Sequence, residues 1–260
     1  MKISILGCGW LGCALGEALV KNGHEVLGTY RNPQRVEQIT ASGIVPIFWD
    51  GSISLFNHAI WRSEILIVAF PPDRNIISNR DYSDKVLAAA DEFKKYRGRQ
   101  VIFMSSTGIY EDRCTEVNEK ARLKIRNSVA VAEYNLRKNY NRSIILRLGG
   151  LCGDSRWPGQ FFAGKKNIPG GGSPVNLVHR DDVVGVVLAC LQHNKRGVVF
   201  NVCADMHPTR AEVYTLQCAK LGLEAPHFSD ADNVAWKKVS NEKIKQVLGY
   251  RFVYPDPMTF

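Results

Sequence analysis

The chain predicts an α/β fold, a doubly wound parallel sheet with a small C-terminal cap. Three observations carry that expectation. Short apolar runs recur through the first 150 residues, amphipathic stretches separate them, and a glycine-rich turn joins the first run to the first stretch. Runs too apolar to be half-exposed belong to a sheet covered on both faces. The crossovers of such a sheet are right-handed.

In order, the expected strands are Lys2–Leu6, Glu25–Thr29, Val45–Phe48, Ile65–Ala69, Gln100–Met104 and Ser143–Leu148. The amphipathic stretches between them cover 11–22, 33–41, 79–96 and 119–138. Residues 151–176 change character: Trp157-Pro158-Gly159 and Pro169-Gly170-Gly171-Gly172 predict a long functional loop. A helix over 180–193, a strand at Val198–Val202 and a further helix follow, the last opening on Thr209-Arg210-Ala211-Glu212, a capping box.

Composition narrows the class. With 260 residues, 45% hydrophobic and 23% charged, the chain suits one large domain or a domain with a small lid, and is neither disordered nor fibrous. The longest apolar run, Ile65 to Phe70, is strand-length, far short of the ~20 residues of a membrane helix. The run Ile3-Ser4-Ile5-Leu6 breaks at Gly7, too soon for a signal peptide. Seven cysteines without a Cys-x-x-Cys pair argue against a disulfide framework and against a zinc site. A reduced, cytoplasmic protein without membrane or metal is expected. The net charge of +9 comes from scattered small groups of Lys and Arg with no nucleic-acid motif. It reads as a solvated basic surface or a site for a phosphorylated ligand.

The first strand runs into Gly7-Cys8-Gly9-Trp10-Leu11-Gly12. The first glycine permits the tight turn, the second lets backbone approach a pyrophosphate, and the third lets the helix pack against the strand. The anion then rests on the positive end of the helix. This predicts a Rossmann-type dinucleotide site, with Gly7, Gly9, Trp10, Leu11 and Gly12 in the cradle. The second strand ends in Thr29-Tyr30-Arg31, with Arg35 a turn further on, where an NAD site places a carboxylate for the ribose hydroxyls. Two guanidiniums and no carboxylate favour the 2′-phosphate of NADP over NAD. Tyr30, Arg31 and Arg35 therefore join the expected cofactor residues. Asp50 is placed near the adenine amino group, and Phe70 and Pro71 along the cleft. Cys8, inside the loop at a helix start, reads as a small residue filling a tight turn, with an oxidation-sensitive thiol as the alternative. The expected division is a Rossmann domain of 1–150 with 175–203, and a substrate-side cap of 151–174 with 204–260.

Together with the glycine loop, Ser105-Ser106-Thr107-Gly108-Ile109-Tyr110, Leu146-Arg147-Leu148-Gly149-Gly150 and Val178-His179-Arg180-Asp181-Asp182-Val183 resemble the extended short-chain dehydrogenase/reductases, the family of nucleotide-sugar epimerases and dehydratases. More narrowly, Gly159-Gln160-Phe161-Phe162-Ala163-Gly164-Lys165, Asn176-Leu177-Val178-His179 and Tyr254-Pro255-Asp256-Pro257 resemble the bacterial YeeZ group of atypical members. The resemblance implies a catalytic Ser at Ser106 and a Tyr-x-x-x-Lys pair, the lysine lowering the tyrosine's pKa for acid–base work. Val129-Ala130-Val131-Ala132-Glu133 places the lysine's position at Val129 and the tyrosine's at Ile125, on an apolar stripe running from Ala121 through Leu136. Neither side chain transfers a proton. The literal Tyr134-Asn135-Leu136-Arg137-Lys138 lies nine residues further on, about 13 Å along a helix, and reads as a tyrosine packing near the helix end. Candidate donors are then Tyr110, Glu111 and His179, with Arg156 and Lys165 as anion holders. Two readings stay open. One is an oxidoreductase or epimerase acting on a nucleotide-sugar-like or other phosphorylated small molecule. The other is a non-catalytic NADP-binding sensor or regulatory interaction protein.

Overall fold

The computed structural model describes residues 1–51, 59–72, 79–229 and 234–260. Its elements run β1 (Lys2–Leu6), α1 (Trp10–Lys21), β2 (Glu25–Tyr30), α2 (Val36–Ala41), β3 (Val45–Phe48), β4 (Ile65–Val68), α3 (Asn79–Lys95), β5 (Gln100–Ser106), β6 (Thr115–Val117), α4 (Ser128–Asn139), β7 (Ile144–Leu148), β8 (Gly150–Cys152), β9 (Leu177–His179), α5 (Arg180–Gln192), β10 (Val198–Val202), α6 (Arg210–Lys220), β11 (Lys237–Val239) and α7 (Glu242–Leu248). Seven strands form one sheet in the order β10-β7-β5-β4-β1-β2-β3. β1 pairs in parallel with β2 on one side and β4 on the other, so the chain reverses direction across the sheet at β1. That reversal opens a crevice at the carboxyl ends of the strands, where α/β sheets bind ligands. The middle strands are apolar because both their faces are covered: every residue of β4 and of β7 is buried. Each buried Ile, Leu or Val contributes about 2 kcal/mol.

Two compact units make up the chain. The first holds residues 1–105, 124–146 and 187–199; the second holds 106–123, 147–186 and 200–260. The divide falls within β5, β7 and β10. The reason is chemical: Arg147 and Asn201, near the ends of β7 and β10, bond to Tyr110 of the second unit rather than continuing the apolar sheet core. In the first unit α3 packs along α4, and Phe93, Leu136 and Ile145 share one core with Leu66 and Phe103 of the sheet.

The helix expected over 119–138 starts only at Ser128, because Asn127 caps it by accepting from the amides of Val129 (2.9 Å) and Ala130 (3.2 Å). Residues 115–117 form β6, an element the pattern did not signal, paired in parallel with β11. The supposed stripe is thereby broken. Ile125 precedes the helix and is 80% exposed, while Ala121 packs beside Tyr110 and Val117. Tyr134, expected to pack near the helix end, is instead 64% exposed.

In the second unit the glycine-rich stretch carries β8 and a 3-10 turn at Pro158–Phe161 before β9 pairs with β8. The turn is tied to α6 through the Gly159 amide and Gln217 Oε1 (2.7 Å). Thr209 and Glu212 form the capping box of α6, with Glu212 Oε2 accepting from the Thr209 amide at 2.8 Å and Thr209 Oγ1 from the Glu212 amide at 3.2 Å. The tail is held by Asp182, whose carboxylate is fully buried. It accepts from Tyr250 Oη (2.9 Å) and from the amides of Val253 (2.8 Å) and Tyr254 (3.0 Å). A buried charge is tolerable only when its lone pairs are used in this way. Asp182→Ala orphans all three donors. Its unfolding free energy in urea should fall by about 3 kcal/mol, and an unchanged midpoint would contradict the tether.

Candidate nucleotide site

β1 ends at Leu6, and the chain turns at Gly7 with φ of +100°. Only glycine takes that backbone easily, and a Cβ there would also lie 2.8 Å from the Phe70 amide nitrogen. The Gly7 amide donates to Thr29 Oγ1 (2.8 Å) and the Cys8 amide to Thr29 O (2.7 Å), so β2 fixes the loop. A Cβ on Gly12 would sit 2.2 Å from the Gly7 carbonyl oxygen, which lets the first turn of α1 press against the loop. Gly9 differs: nothing lies within 4 Å of where its Cβ would be. It is the N-cap of α1, with no side-chain cap and no acidic residue in the first turn. The first-turn amides of that helix follow directly on this open glycine, as an anion site requires.

The cavity beside the loop has a volume of about 250 Å³ and draws on the carboxyl ends of four strands. Gly7, Cys8 and Gly9 form one wall, and Tyr30, Arg31, Asn32 and Arg35 follow from β2. Trp49 and Gly51 come from beyond β3, and Ala69, Phe70 and Pro71 from beyond β4. Its floor is aromatic: Trp49 meets Phe70 edge-on at 5.2 Å, and Phe70 meets Tyr82 at 5.6 Å. Tyr82 Oη donates to the Phe70 carbonyl (3.0 Å), and burial pushes its pKa up. The structure thus brings Gly7, Gly9, Tyr30, Arg31, Arg35, Phe70 and Pro71 to one cavity. Leu11 and Gly12 are buried in the first turn of α1 behind the loop, and Trp10 lies at that helix's start. Asp50 is exposed between Trp49 and Gly51. Sequence reasoning missed Tyr82 and Lys85, which α3 delivers to the cavity at helical i, i+3 spacing. The Lys85 ammonium lies 3.8 Å from the Cβ position of Gly51.

Cys8 fills a hole made for it: a Cβ on Gly28 would lie 2.3 Å from its Sγ. Cys13 Sγ donates to the Cys8 carbonyl oxygen at 3.2 Å. A hydrogen bond with the Cys8 thiol, helped by the Arg35 guanidinium, brings the Cys13 thiol down to about 7. The same bond, with burial, pushes the Cys8 thiol far up.

The three residues singled out for catalysis all belong to the second unit. Ser106 Oγ accepts from the Gly108 amide (3.0 Å), capping the turn after β5. Tyr110 is fully buried; its hydroxyl donates to Asn201 Oδ1 (2.6 Å) and accepts from Arg147 Nη1 (2.6 Å). Burial pushes its pKa up to about 12, against the pull of Arg147. Arg147 also donates to the Glu119 carbonyl (3.0 Å), and Glu119 Oε1 accepts from the Asn201 amide (2.9 Å). His179 stacks on Tyr254 with centroids 3.7 Å apart, and its Nδ1 accepts from the Asp181 amide (3.3 Å). Burial lowers its pKa below the usual 6.5, outweighing the nearby Asp181. Glu111 pairs with Arg113 on the surface side of the same turn. Next to Ser106, Ser105 Oγ donates to the buried Glu133 of α4 (2.9 Å) within the first unit.

Two glycine substitutions separate cradle from scaffold. Gly9→Ala, with open space around its Cβ, should keep the thermal midpoint yet weaken dinucleotide binding by more than about tenfold. Gly12→Ala should lose both stability and binding; equal behaviour of the two variants in calorimetry and thermal melts would refute this division of roles. A pH effect follows from His179. Its native pKa is lowered, so the unfolded state binds more protons below about 6.5, and stability falls as pH drops from there toward the native value. Urea unfolding between about pH 6.5 and 5 should show that loss, and His179→Phe should reduce it, with His24 and His207, lowered in the same direction by burial, keeping the rest.

The sequence matches the NAD(P)H-binding family over residues 7–194. It is 35% identical to Protein YeeZ of Escherichia coli strain K12, over 99% of this chain and 97% of that one. Among solved structures it resembles a functionally unknown conserved protein from Silicibacter pomeroyi (TM-score 0.79, 27% identity, 99% and 95% of the two chains). A UDP-glucose-4-epimerase from Stenotrophomonas maltophila, with bound NAD and formylated UDP-arabinopyranose, shares the fold at a TM-score of 0.78 and 15% identity, over 99% and 95% of the chains. Among the described residues no helix is long and apolar enough to cross a membrane. The glycine cradle, the seven-stranded sheet and the near full-length match to YeeZ agree, and the chain belongs to the NAD(P)H-binding family, together with Protein YeeZ.

Proposed function

We propose that the first unit holds NADP(H), and that the chain acts as an oxidoreductase or epimerase/dehydratase on a nucleotide-sugar-like or otherwise phosphorylated small molecule in the cytoplasm. The observation that carries the cofactor reading is the charge of the cavity wall. Arg31, Arg35 and Lys85 line it, and no carboxylate does among the described residues. The pyrophosphate is assigned to the Gly9 end of α1, where backbone donors and open space coincide. Arg31 and Arg35 are assigned to the 2′-phosphate, which guanidinium forks match in geometry. Tyr30 and Asp50 flank the adenine, Phe70 and Pro71 the remaining length. When bound, the nicotinamide supplies or takes up a hydride. The chain's own residues bind, orient and exclude water from it over the aromatic floor. The substrate side is assigned to 151–174 with 204–260, where Arg156 and Lys165 hold an anionic group, and Ser106, at the end of β5, offers the hydroxyl of the family's catalytic serine. The seven cysteines, all unpaired, fit a reducing compartment.

A second reading, a nucleotide-responsive module without proton transfer, draws on the engaged hydroxyl of Tyr110 and on Ile125 and Val129 at the positions assigned to the family's Tyr and Lys. It keeps the same cofactor site and dispenses with turnover.

Calorimetric titration tests the shared part. Arg31→Ala and Arg35→Ala should each weaken NADPH by about ten- to a hundredfold and NADH by less than about threefold. Equal losses for both nucleotides would sink the 2′-phosphate assignment, and no binding by the unaltered protein would sink the site. NADPH absorbance followed with a panel of nucleotide sugars then divides enzyme from sensor.

A further inference from the structure

We propose that Cys8 and Cys13 form a reversible dithiol–disulfide pair through which a hydroperoxide switches the nucleotide loop off. The proposal rests on the first-unit cavity being the dinucleotide site. Cys8 belongs to the loop itself and lines that cavity. Cys13 stands one turn inside α1, its Sγ 3.2 Å from the Cys8 carbonyl oxygen, so its thiol lies against the residue that carries the other. Arg35, from the cavity rim, is the cation against Cys13 and supports its thiolate. Among the described residues neither sulfur is bonded to any other cysteine.

The chemistry is balanced with a hydroperoxide as oxidant. The Cys13 thiolate attacks the O–O bond; an S–O bond forms, the O–O bond breaks, and the leaving oxygen departs as water or alcohol after taking a proton. The Cys8 sulfur then attacks the sulfenic sulfur of Cys13. The S–S bond forms, the S–O bond breaks, and hydroxide leaves with the Cys8 proton as water. Two thiols lose two electrons and one peroxide gains them. A dithiol reductant reverses the change.

Bringing the two sulfurs to a covalent bond of about 2 Å draws Cys8 toward α1. Gly9, with open space around it, permits that movement. Cys8 then leaves the hole above Gly28, and its amide leaves Thr29 O, now 2.7 Å away. The loop amides swing off the pyrophosphate position. By reciprocity, a dinucleotide lying in the cavity covers Cys8 and slows its oxidation.

The test uses the full chain carrying Cys114→Ser, which removes the exposed thiol. Both cysteines fall in one tryptic peptide, Ile3–Lys21. After hydrogen peroxide that peptide should be two hydrogens lighter and closed to alkylation until dithiothreitol is added. NADPH affinity should drop by about ten- to a hundredfold and return on reduction, and NADPH added first should slow the change. Cys13→Ser, which keeps a donor for the Cys8 carbonyl, should bind NADPH equally before and after peroxide. Thermal melts check that it folds, and the unaltered pair's peptide mass decides if it does not. Two alkylatable thiols surviving peroxide that oxidises Cys114 in the parent chain would overturn the proposal. So would a formed disulfide with unchanged NADPH affinity. Reduced protein that binds no dinucleotide instead overturns the site reading and the switching with it, while the peptide mass still reports whether the pair forms.

Discussion

The approach of Gly12 to the Gly7 carbonyl, 2.2 Å from where a Cβ would be, is the constraint on which the first unit's geometry turns. It sets the start of α1 against the end of β1. The Phe70 amide closes the other side of Gly7 just as tightly, at 2.8 Å from a Cβ position. One residue is thus clamped between α1 and the end of β4, the two sides of the sheet's reversal point. The aromatic floor from Trp49 to Tyr82 is built outward from Phe70. The cavity is therefore a consequence of the packing of β1, α1 and the end of β4.

The second unit is organised by buried polar groups instead of close glycine contacts. Arg147, 1% exposed, and Asp182, fully buried, each satisfy several partners. Arg147 reaches Tyr110 and Glu119, and Asp182 fastens the 250–254 segment. In a low-dielectric interior such groups stabilise only as completed networks, so each one specifies the loop it bonds. Tyr110 and His179 sit inside these networks. Their burial gives them shifted pKa values for structural reasons, and a shifted value does not by itself mark a catalytic group.

Much of this was legible in the residues because its signals are local. An unbroken run such as Ile65-Leu66-Ile67-Val68 is too apolar for anything but a covered strand, and Gly7, Gly9 and Gly12 at fixed spacing declare a loop and its helix. The helix before β7 was misread where local signals competed. Ala121 and Ile125 fell on the apolar period of Val129, Ala132 and Leu136, yet Asn127 caps the chain and resets it. A single side chain that accepts two amides outweighs a periodicity that tertiary contacts do not support. Lys85 and Tyr82 escaped for the opposite reason. Nothing in their own stretch points to a nucleotide; only the folding of α3 against β4 brings them to residues as far back as Gly7.

If Cys8 and Cys13 form the proposed pair, Arg35 joins nucleotide recognition to their oxidation. It lines the cavity wall and also lies against Cys13. A phosphate drawn to Arg35 spends the positive charge that supports the Cys13 thiolate, and a less stabilised thiolate is a smaller fraction of the thiol. An NADP molecule so placed would shield the pair twice, by covering Cys8 and by withdrawing the cation from Cys13. NAD, lacking the 2′-phosphate, would supply only the cover. The difference between the two nucleotides would then be written in the reactivity of a cysteine that lies outside the cavity lining.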